Sequence, residues 1–388
     1  MTSMTAVYSP RILIMSLSTA NFAVGMGAFV VIGVLSPIIA DFDLTSASAG
    51  WIMTAYAIAY AIGSPLAVAL TGSMGRRTVM TVGLAIFTGA MLLAALAPAF
   101  EVLVLARIFA ALGAGVISPV AAGVAAAASK PEERGKALAA AFFGLTLAQV
   151  LGVPVGAWLG YSFGWQTVFV ITALLSLIAL VAIWRIVPRD MAFQVNSLGS
   201  LGAALTDPKT ILAILFTVFT MGAVYTLYTY TAPVLEARMG FGRDGVSLYL
   251  LGFGLGAVVG NLLGGWMTDR VGAFRTLVFV SLAHIVLMPV FAVLPLPHWL
   301  LYAHCFVWSV AGWSFAASQQ FRLVSLGPER ANVMLALNAA AIYVGVSFGS
   351  AIGGATIDLL GLDALGLVGS FIAVLALITL ALSERIAR

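Results

Sequence analysis

Long apolar segments of about 20 residues alternate with short polar breaks along the whole chain, and about 20 apolar residues are what a helix needs to cross a bilayer. The pattern predicts an all-α membrane protein with twelve transmembrane helices, near residues 12–37, 47–70, 78–97, 101–127, 134–160, 165–186, 209–235, 245–267, 274–294, 299–323, 331–357 and 364–383. The longest polar break, 188–208, separates two six-helix bundles, 1–187 and 209–388. We interpret this break as a linker, which is either a plain tether or contains a surface helix near 196–205.

The second bundle repeats the first at an offset of 197 residues. Seven of the eighteen glycines in residues 1–187 have a glycine 197 positions later, whereas chance would give about two such matches. The pairs are Gly25/Gly222, Gly63/Gly260, Gly75/Gly272, Gly115/Gly312, Gly152/Gly349, Gly156/Gly353 and Gly164/Gly361. Pro131/Pro328 and Glu132/Glu329 share the offset. A duplicated membrane bundle predicts a secondary transporter, with its substrate held between two pseudo-symmetric halves.

Composition excludes a soluble protein, because 62% of the residues are hydrophobic and only 8% are charged. If the N-terminus lies in the cytoplasm, fifteen of the eighteen Lys and Arg residues fall on the cytoplasmic side, and only Arg107, Arg238 and Arg243 do not. The positive-inside rule therefore predicts cytoplasmic termini and a multi-pass protein of the bacterial inner membrane. The basic residues are scattered in short loops, so a nucleic-acid partner is not expected.

Enzymatic chemistry has no candidate site in the sequence. The single cysteine, Cys305, excludes a disulfide scaffold and a cysteine-based metal site. No G-x-x-x-x-G-K-[ST] sequence occurs, which argues against ATP as the driving force. We find no polar catalytic cluster, and we expect no cofactor and no metal. The expected partners are a small-molecule substrate, protons and the lipid bilayer, and the expected oligomeric state is a monomer.

The loop between the eighth and ninth predicted helices carries Gly265, Asp269, Arg270, Gly272 and Arg275. It resembles the loop motif G-x-x-x-D-R-x-G-[RK] of the major facilitator superfamily. The resemblance implies a cytoplasmic lock between the halves, in which the carboxylate faces a helix N-terminus; the alternative is a short basic loop. The first-half loop ends in Gly75, Arg76 and Arg77, but Gly72 occupies the position equivalent to Asp269. A lock in the first half would therefore lack its carboxylate.

Two further segments look like motifs of the same superfamily. Arg107, in the fourth predicted helix, matches an arginine that is associated with proton coupling. Because a charge in lipid is costly, Arg107 should face the bundle interior, unless it snorkels to the surface. In the fifth helix Gly152, Pro154 and Gly156 resemble the motif of drug:proton antiporters, which favours efflux. The alternative is generic packing of a flat glycine face.

The whole chain resembles bacterial efflux transporters for purines, nucleosides and sugars, and their antibiotic-exporting relatives. Polar and aromatic side chains at mid-helix depth are the candidates for the substrate cavity. They are Asn21, Tyr56, Tyr60, Gln149, Tyr225, Tyr228, Trp308, Trp313, Gln319 and Asn338. For each of these residues the alternative is a hydrogen bond between helices or an interfacial aromatic.

No Asp or Glu lies deep in a predicted helix, and Ala28 occupies the place where relatives often carry an acid. His304, the repeat mate of Arg107, is the remaining candidate for proton coupling, since histidine changes charge near neutral pH. Its alternative is a neutral, hydrogen-bonded histidine, and Asp41 at the membrane edge is the reserve candidate. We expect His284 to lie next to lipid and His298 to lie at the rim.

The sequence thus predicts an exporter of a small neutral or anionic molecule that works by proton antiport and alternating access. A uniporter or importer is the first alternative, because the acid expected in the first helix is missing. A membrane enzyme or a non-transporting receptor is the second, and it would need a polar cluster or a soluble domain that the sequence does not offer.

Overall fold

A computed structural model describes residues 9–189, 199, 202 and 204–387, so most of the predicted linker and its surface helix lie outside the described residues. Within that part, twelve helices are long and apolar enough to span a membrane, which confirms the prediction of an all-α bundle. Spans 1 to 12 are Arg11–Phe29, Ser46–Leu70, Arg76–Ala95, Phe100–Ala127, Arg134–Phe163, Trp165–Ile186, Pro208–Tyr228, Arg243–Val271, Ala273–Val293, His298–Leu326, Val333–Leu360 and Ala364–Ile386. The protein is therefore a multi-pass membrane protein.

The first span of each half is broken at nearly the same depth, at Val30 and at Thr229–Tyr230, where the sequence predicted continuous helices. Helix Val31–Asp41 continues span 1, and helix Thr231–Met239 continues span 7. In span 7 the cause is Pro233, which has no N–H to offer the carbonyl of Thr229. In span 1 the cause is Arg107 of span 4, whose guanidinium donates to the backbone carbonyls of Gly27 and Ala28. This interrupts the regular hydrogen bonds of the helix backbone.

Span 5 changes its winding halfway. It consists of the α-helices Arg134–Leu147 and Val153–Phe163, joined by a π-helical turn at Ala148–Gly152. Pro154 lacks an N–H and its ring crowds the carbonyl of Val150, which explains an irregular turn at this place. Span 5 packs against span 1 through Gly152, Gly156 and Gly160, where a β-carbon would strike Met26, Val30 and Val34. The repeat mates Gly349 and Gly353 pack in the same way against Gly222 and Thr226 of span 7.

The repeat also extends to backbone conformation. Gly164 and Gly361, which are 197 residues apart, have φ angles of 86° and 85° and directly follow the last residues of spans 5 and 11. A side chain is rarely accommodated at such positive φ values, so both turns favour glycine. The glycine pattern in the sequence is thus reproduced by equivalent turns in the structure.

An even number of spans places both ends of the described chain on one side of the bundle, which we call the terminal face; the opposite side is the far face. Towards the far face the halves are in contact, with Val31–Asp41 against Thr231–Met239 and span 2 against span 11. Spans 5 and 8 meet at Val150 and Gly254 and stay together to the far face. On the terminal side of this meeting point, the α-helix Arg134–Leu147 of span 5 no longer packs along span 8. The seam between spans 5 and 8 is therefore closed towards the far face and open towards the terminal face.

Candidate functional site

Arg107 of span 4 is fully buried in the first half. Its guanidinium donates from Nη1 to the backbone carbonyl of Gly27 and from Nη2 to that of Ala28, the second bond being 3.2 Å long. The guanidinium carbon lies 4.2 Å from the ring centroid of Tyr56, which is a cation–π geometry. Arg107 thus points into the bundle rather than snorkelling.

Ala28 is the position at which the sequence lacks the expected acid, and its backbone replaces the acid as the acceptor for Arg107. A carbonyl dipole satisfies a donor but carries no net charge, so the positive charge of Arg107 is not cancelled there. Its Nε atom is buried without a hydrogen-bond partner among the described residues. The site therefore combines a buried cation with dipolar and π partners only.

Three tyrosines join the two halves next to this arginine. Tyr60 of span 2 stacks face to face on Tyr343 of span 11, with ring centroids 3.7 Å apart and planes 23° apart. Tyr56 lies 6.2 Å from Tyr60 and 6.4 Å from Tyr343. The sequence analysis found Tyr56 and Tyr60 but missed Tyr343, because no motif marks span 11 and the repeat mate of Tyr343 is Thr146. The only feature of the sequence that could have identified Tyr343 was its position at mid-helix depth.

The aromatic wall continues in the second half. Tyr225 contacts Tyr228 at 5.7 Å, and Tyr228 stacks on Phe253 at 4.2 Å. Trp308 lies 5.3 Å from Phe253 and 5.5 Å from Phe291, and Phe291 lies 5.3 Å from His304. Phe253, which the sequence analysis did not single out, is the repeat mate of Tyr56. The wall thus ends at His304, the repeat mate of Arg107.

Besides Nδ1 of His304, two buried polar groups in this wall have no hydrogen-bond partner in the described structure. They are the hydroxyl of Tyr56 and Nε1 of Trp308, and both side chains are only 1% exposed. Leaving a buried donor unpaired costs about 1–3 kcal/mol. Unpaired donors from both halves are what a cavity that binds hydrogen-bond acceptors requires.

The amide candidates are placed differently, since their hydrogen bonds hold helices together. Asn21 donates to the carbonyl of Ala141 at 2.9 Å and accepts from Ser118 at 2.7 Å, which joins spans 1, 4 and 5. The second half has a matching cluster, in which Gln319 donates to Thr217 and Thr217 donates to Asn338, across spans 10, 7 and 11. Gln149 and Trp313 are half-buried beside span 8. Asn21 is linked to Tyr60 of the aromatic wall through their shared partner Ser118, whereas no described hydrogen bond or ring contact links Gln149, Trp313, Gln319 or Asn338 to the wall.

The titratable candidates occupy separate places. His304 is buried, and its Nε2 lies 2.9 Å from the carbonyl of Leu287. Asp41 is exposed at the far face, where its carboxylate accepts from Trp165 at 2.9 Å and Gln166 at 3.1 Å. Asp41 therefore has its described partners within its own half.

The structure corrects the expectation for His284. This residue was expected next to lipid, but it is 1% exposed. Its Nδ1 lies 2.8 Å from the carbonyl of Val280, and its ring faces Gly312 of span 10, where the absence of a side chain makes room for it. His298 is exposed at the rim, where its ring centroid lies 4.9 Å from that of Phe241 in an edge-to-face arrangement. The neighbouring thiol of Cys305 is fully buried, 3.4 Å from the carbonyl of Tyr249.

The predicted lock residues lie at the terminal ends of their spans. Asp269 is exposed, and no hydrogen bond or ion pair to it is found among the described residues. Arg270 and Arg275 are also exposed, and Gly272 has a φ of 90° at the end of span 8. Arg270 lies 5.7 Å over the ring of Trp266 on its own helix, so the predicted lock residues of the second half are accessible and form no described contact with the first half.

In the first-half loop, Arg76 is buried and its Nη2 donates to the carbonyl of Gly72 at 3.1 Å. Gly72 holds the position of the missing acid. Arg77 lies over the ring of Trp184 at 4.6 Å, and Gly75 sits against the carbonyl of Arg189. As at Ala28, a backbone carbonyl accepts from an arginine where the family pattern has a carboxylate.

A set of polar contacts across the two halves lies at the far face, and the sequence analysis missed it. The hydroxyl of Tyr161 on span 5 donates to the carboxylate of Glu236 on helix Thr231–Met239. At the next residue of span 5, Ser162 accepts from Arg243 of span 8 at 3.3 Å, and Arg243 lies 5.1 Å over the ring of Trp158. We call these five residues the far-face latch. Their residue types are common in loops and at helix ends, so only the folded structure shows that these five side chains lie together.

Two pseudo-symmetric six-helix bundles that meet along an aromatic and polar seam define a membrane transporter, not an enzyme. Residues 17–332 match the family model of the Major Facilitator Superfamily, and the chain belongs to this family. It is 32% identical to the inner membrane transport protein YdhP of Escherichia coli, over 96% of both chains. It is 31% identical to the MFS-type transporter YbcL of Bacillus subtilis, over 93% of both chains. A protein of Helicobacter pylori described as a "Probable sugar efflux transporter" is 27% identical, over 95% of this chain and 93% of that one.

Solved structures share the fold. A bacterial homologue of the human lysosomal transporter Spinster, in an inward-facing and occupied conformation, has a TM-score of 0.78 and 18% sequence identity over 97% of this chain and 98% of that one. A mutant of the nucleoside transporter NupG has a TM-score of 0.76 and 14% identity over 97% of this chain and 100% of that one. At these identities the similarity establishes the fold alone.

Proposed function

We propose that this protein is a secondary active transporter that exports a small neutral or anionic molecule across the bacterial inner membrane. The observation that carries the proposal is the buried guanidinium of Arg107, whose described partners are carbonyls and a π face. Two unit charges about 4 Å apart at an effective dielectric constant of about 20 interact by about 4 kcal/mol. A cation entering beside Arg107 would be repelled on that scale, whereas a neutral or anionic molecule would not.

Three findings support export as the direction. The span-5 sequence Gly152-Val-Pro154-Val-Gly156 resembles the antiporter motif, and Pro154 lies two residues after the π-helical turn in the middle of the seam. The printed name of the Helicobacter pylori relative describes sugar efflux, and the Escherichia coli relative is an inner membrane protein. Both relatives match the chain in sequence over nearly its whole length.

Transport would proceed by rocking of the two halves around the aromatic wall. If the basic residues place the terminal face in the cytoplasm, the closed far-face latch and the accessible Asp269 correspond to an inward-open state. The opposite state requires the far-face latch to break and the lock at Asp269 to form. A proton is the proposed driving ion, with His304 as the first coupling candidate and Asp41 as the second.

Transport in proteoliposomes with an imposed pH gradient tests the proposal. Purines, nucleosides, sugars and neutral, anionic and cationic antibiotics form the panel. We expect accumulation of a neutral or anionic compound that requires the gradient and is abolished by an uncoupler. Robust transport of ethidium-like cations would contradict the charge argument.

Uniport is the second candidate function, because Ala28 leaves span 1 without a carboxylate. Under uniport the substrate would equilibrate at the same rate with and without the pH gradient. The same proteoliposomes therefore separate the two functions.

A further inference from the structure

Tyr60 and Tyr343 are stacked on each other across the boundary between the halves. Their centroid distance of 3.7 Å is van der Waals contact, so the slot between the two rings has no free width in this structure. They belong to spans 2 and 11, which approach each other from opposite halves. Any movement of one half relative to the other therefore changes the gap between these rings.

We propose that Tyr60 and Tyr343 are a substrate clamp, and that the substrate presents a planar, unsaturated, neutral or anionic ring that inserts between them. This inference rests on the proposed transport function and names the substrate class more narrowly. Insertion would separate the rings by about 3.5 Å, the thickness of one aromatic ring. It would replace one stacked contact by two, so the inserted ring gains contact on both faces.

The surroundings of the clamp define the rest of the ligand. The Tyr56 hydroxyl, in the ring cluster of the clamp, and Trp308 Nε1, further along the aromatic wall, are buried donors that lack acceptors. A ring that carries carbonyl oxygens would supply acceptors to such donors. Arg107 lies behind Tyr56 with its charge uncancelled by any described carboxylate, which disfavours a cationic ring. The clamp thus selects for flatness, and its neighbours select for acceptors and against positive charge.

The first test needs no mutation. Equilibrium binding to the purified transporter is measured with tritiated uracil, hypoxanthine and nicotinamide. We expect saturable binding of at least one of them. Unlabelled dihydrouracil, which keeps the carbonyls of uracil but has a saturated, non-planar ring, should compete about tenfold less well than uracil, as expected for the loss of stacking.

A charge series completes the test on the same ring. Nicotinate is anionic, nicotinamide is neutral, and 1-methylnicotinamide, which is methylated on the ring nitrogen, is cationic. The first two should compete, and the cation should compete at least tenfold more weakly. Equal competition by uracil and dihydrouracil, or no saturable binding of the three tritiated probes, would overturn the clamp.

The second test changes the rings. Tyr60→Leu and Tyr343→Leu should each weaken probe binding about tenfold, whereas Tyr60→Phe and Tyr343→Phe, which keep the stack, should retain affinity within about threefold. Tyr302→Leu is the matched control, because Tyr302 stacks on Phe241 inside the second half and not across the boundary. If the Leu variants bind as the wild type does, the clamp assignment is wrong.

The clamp and the proposed function can fail separately. If the protein accumulates a sugar in proteoliposomes but binds none of the planar probes, transport stands and the clamp falls. If the planar probes bind with the expected pattern but no compound is moved by a gradient, the clamp stands and the exporter proposal falls.

Discussion

Nη2 of Arg107 lies 3.2 Å from the backbone carbonyl oxygen of Ala28, at the position where the family pattern leads one to expect an acid. The first half therefore retains the arginine but not the carboxylate. Two donors of one planar guanidinium bind two successive carbonyls here, a fork geometry that an ammonium group cannot reproduce. Two predictions about Arg107 follow from this geometry.

Arg107→Lys keeps the charge but cannot hold both carbonyls. We expect the unfolding free energy to fall by about 1.5–3 kcal/mol, the usual contribution of a hydrogen bond to a charged group. Thermal and denaturant unfolding in detergent measure the change. An unchanged midpoint would show that the second carbonyl bond contributes nothing to stability.

Arg107→Gln removes the charge and keeps an N–H donor. Competition by 1-methylnicotinamide should then approach that of nicotinamide, because the repulsion of cations is lost. Arg107→Lys serves as the control, since it should keep the discrimination against cations. If the Gln variant discriminates as strongly as the wild type, Arg107 is not the source of charge selectivity.

Tyr161→Phe removes the hydroxyl that bonds to Glu236 and leaves the ring in place. A hydrogen bond to a charged acceptor contributes about 1.5–3 kcal/mol, so the equilibrium should shift at least tenfold towards the state with an open far face. Distances between spin labels on the far-face ends of spans 5 and 8 report this shift. Tyr302→Phe is the control, because Tyr302 contacts only its own half in the described ring contacts, and it should leave the distance distribution unchanged. An equal shift in both variants would contradict the assignment of the far-face latch.

Asp269→Asn should shift the conformational equilibrium in the opposite direction from Tyr161→Phe. Its carboxylate has no described partner in this state, so the substitution should not destabilise this state, while it should weaken a lock formed in the other state. We expect a shift of about 1 kcal/mol towards the state with an open terminal face and reduced transport. Label distances across the terminal face measure the shift. A population that moves towards closure there would contradict the lock.

Gly254→Ala should push the halves apart at mid-depth. A β-carbon at Gly254 would lie 2.6 Å from the Cα atom of Val150 in the opposite half, and backbone cannot move aside easily. We expect the state described here to lose about 1–3 kcal/mol through this overpacking. Gly252→Ala is the matched control on the same helix, because no atom lies within 4 Å of its β-carbon position. Similar conformational equilibria in both variants would refute the close contact.

His304→Gln tests coupling, since glutamine can still donate to the carbonyl of Leu287 but cannot take up a proton. We expect this variant to equilibrate substrate without gradient-driven accumulation, and Asp41→Asn to keep accumulation. The reverse result would assign coupling to Asp41. If neither variant loses accumulation, the proton travels with the substrate or the protein is a uniporter.

Helix number and repeat could be predicted from the sequence because both depend on local composition and on glycines that occupy equivalent packing sites. The glycines of span 5 lie against span 1 as their spacing suggested, and Gly164 and Gly361 adopt nearly the same positive φ. The break in span 1 could not be predicted, because its cause is Arg107, a residue of another helix. Burial of His284 also depends on a distant glycine, Gly312.

The site was predicted only in part for the same reason. Polarity at mid-helix depth identified Tyr56 and Tyr60, but depth does not tell which direction a side chain faces. Asn21, Gln319 and Asn338 have the polarity of cavity residues, yet they form hydrogen bonds between helices. Tyr161 and Glu236 lie 75 positions apart in the chain and carry no shared motif, so their contact depends on the packing of the two halves.

The burial of Cys305 has a practical consequence for studying this protein. Its thiol is closed to solvent beside the carbonyl of Tyr249, so a maleimide or methanethiosulfonate reagent has no accessible native thiol to modify. A cysteine introduced at either rim would therefore react alone. The conformational experiments can be made in the natural sequence, without the cysteine-free background that labelling studies usually require.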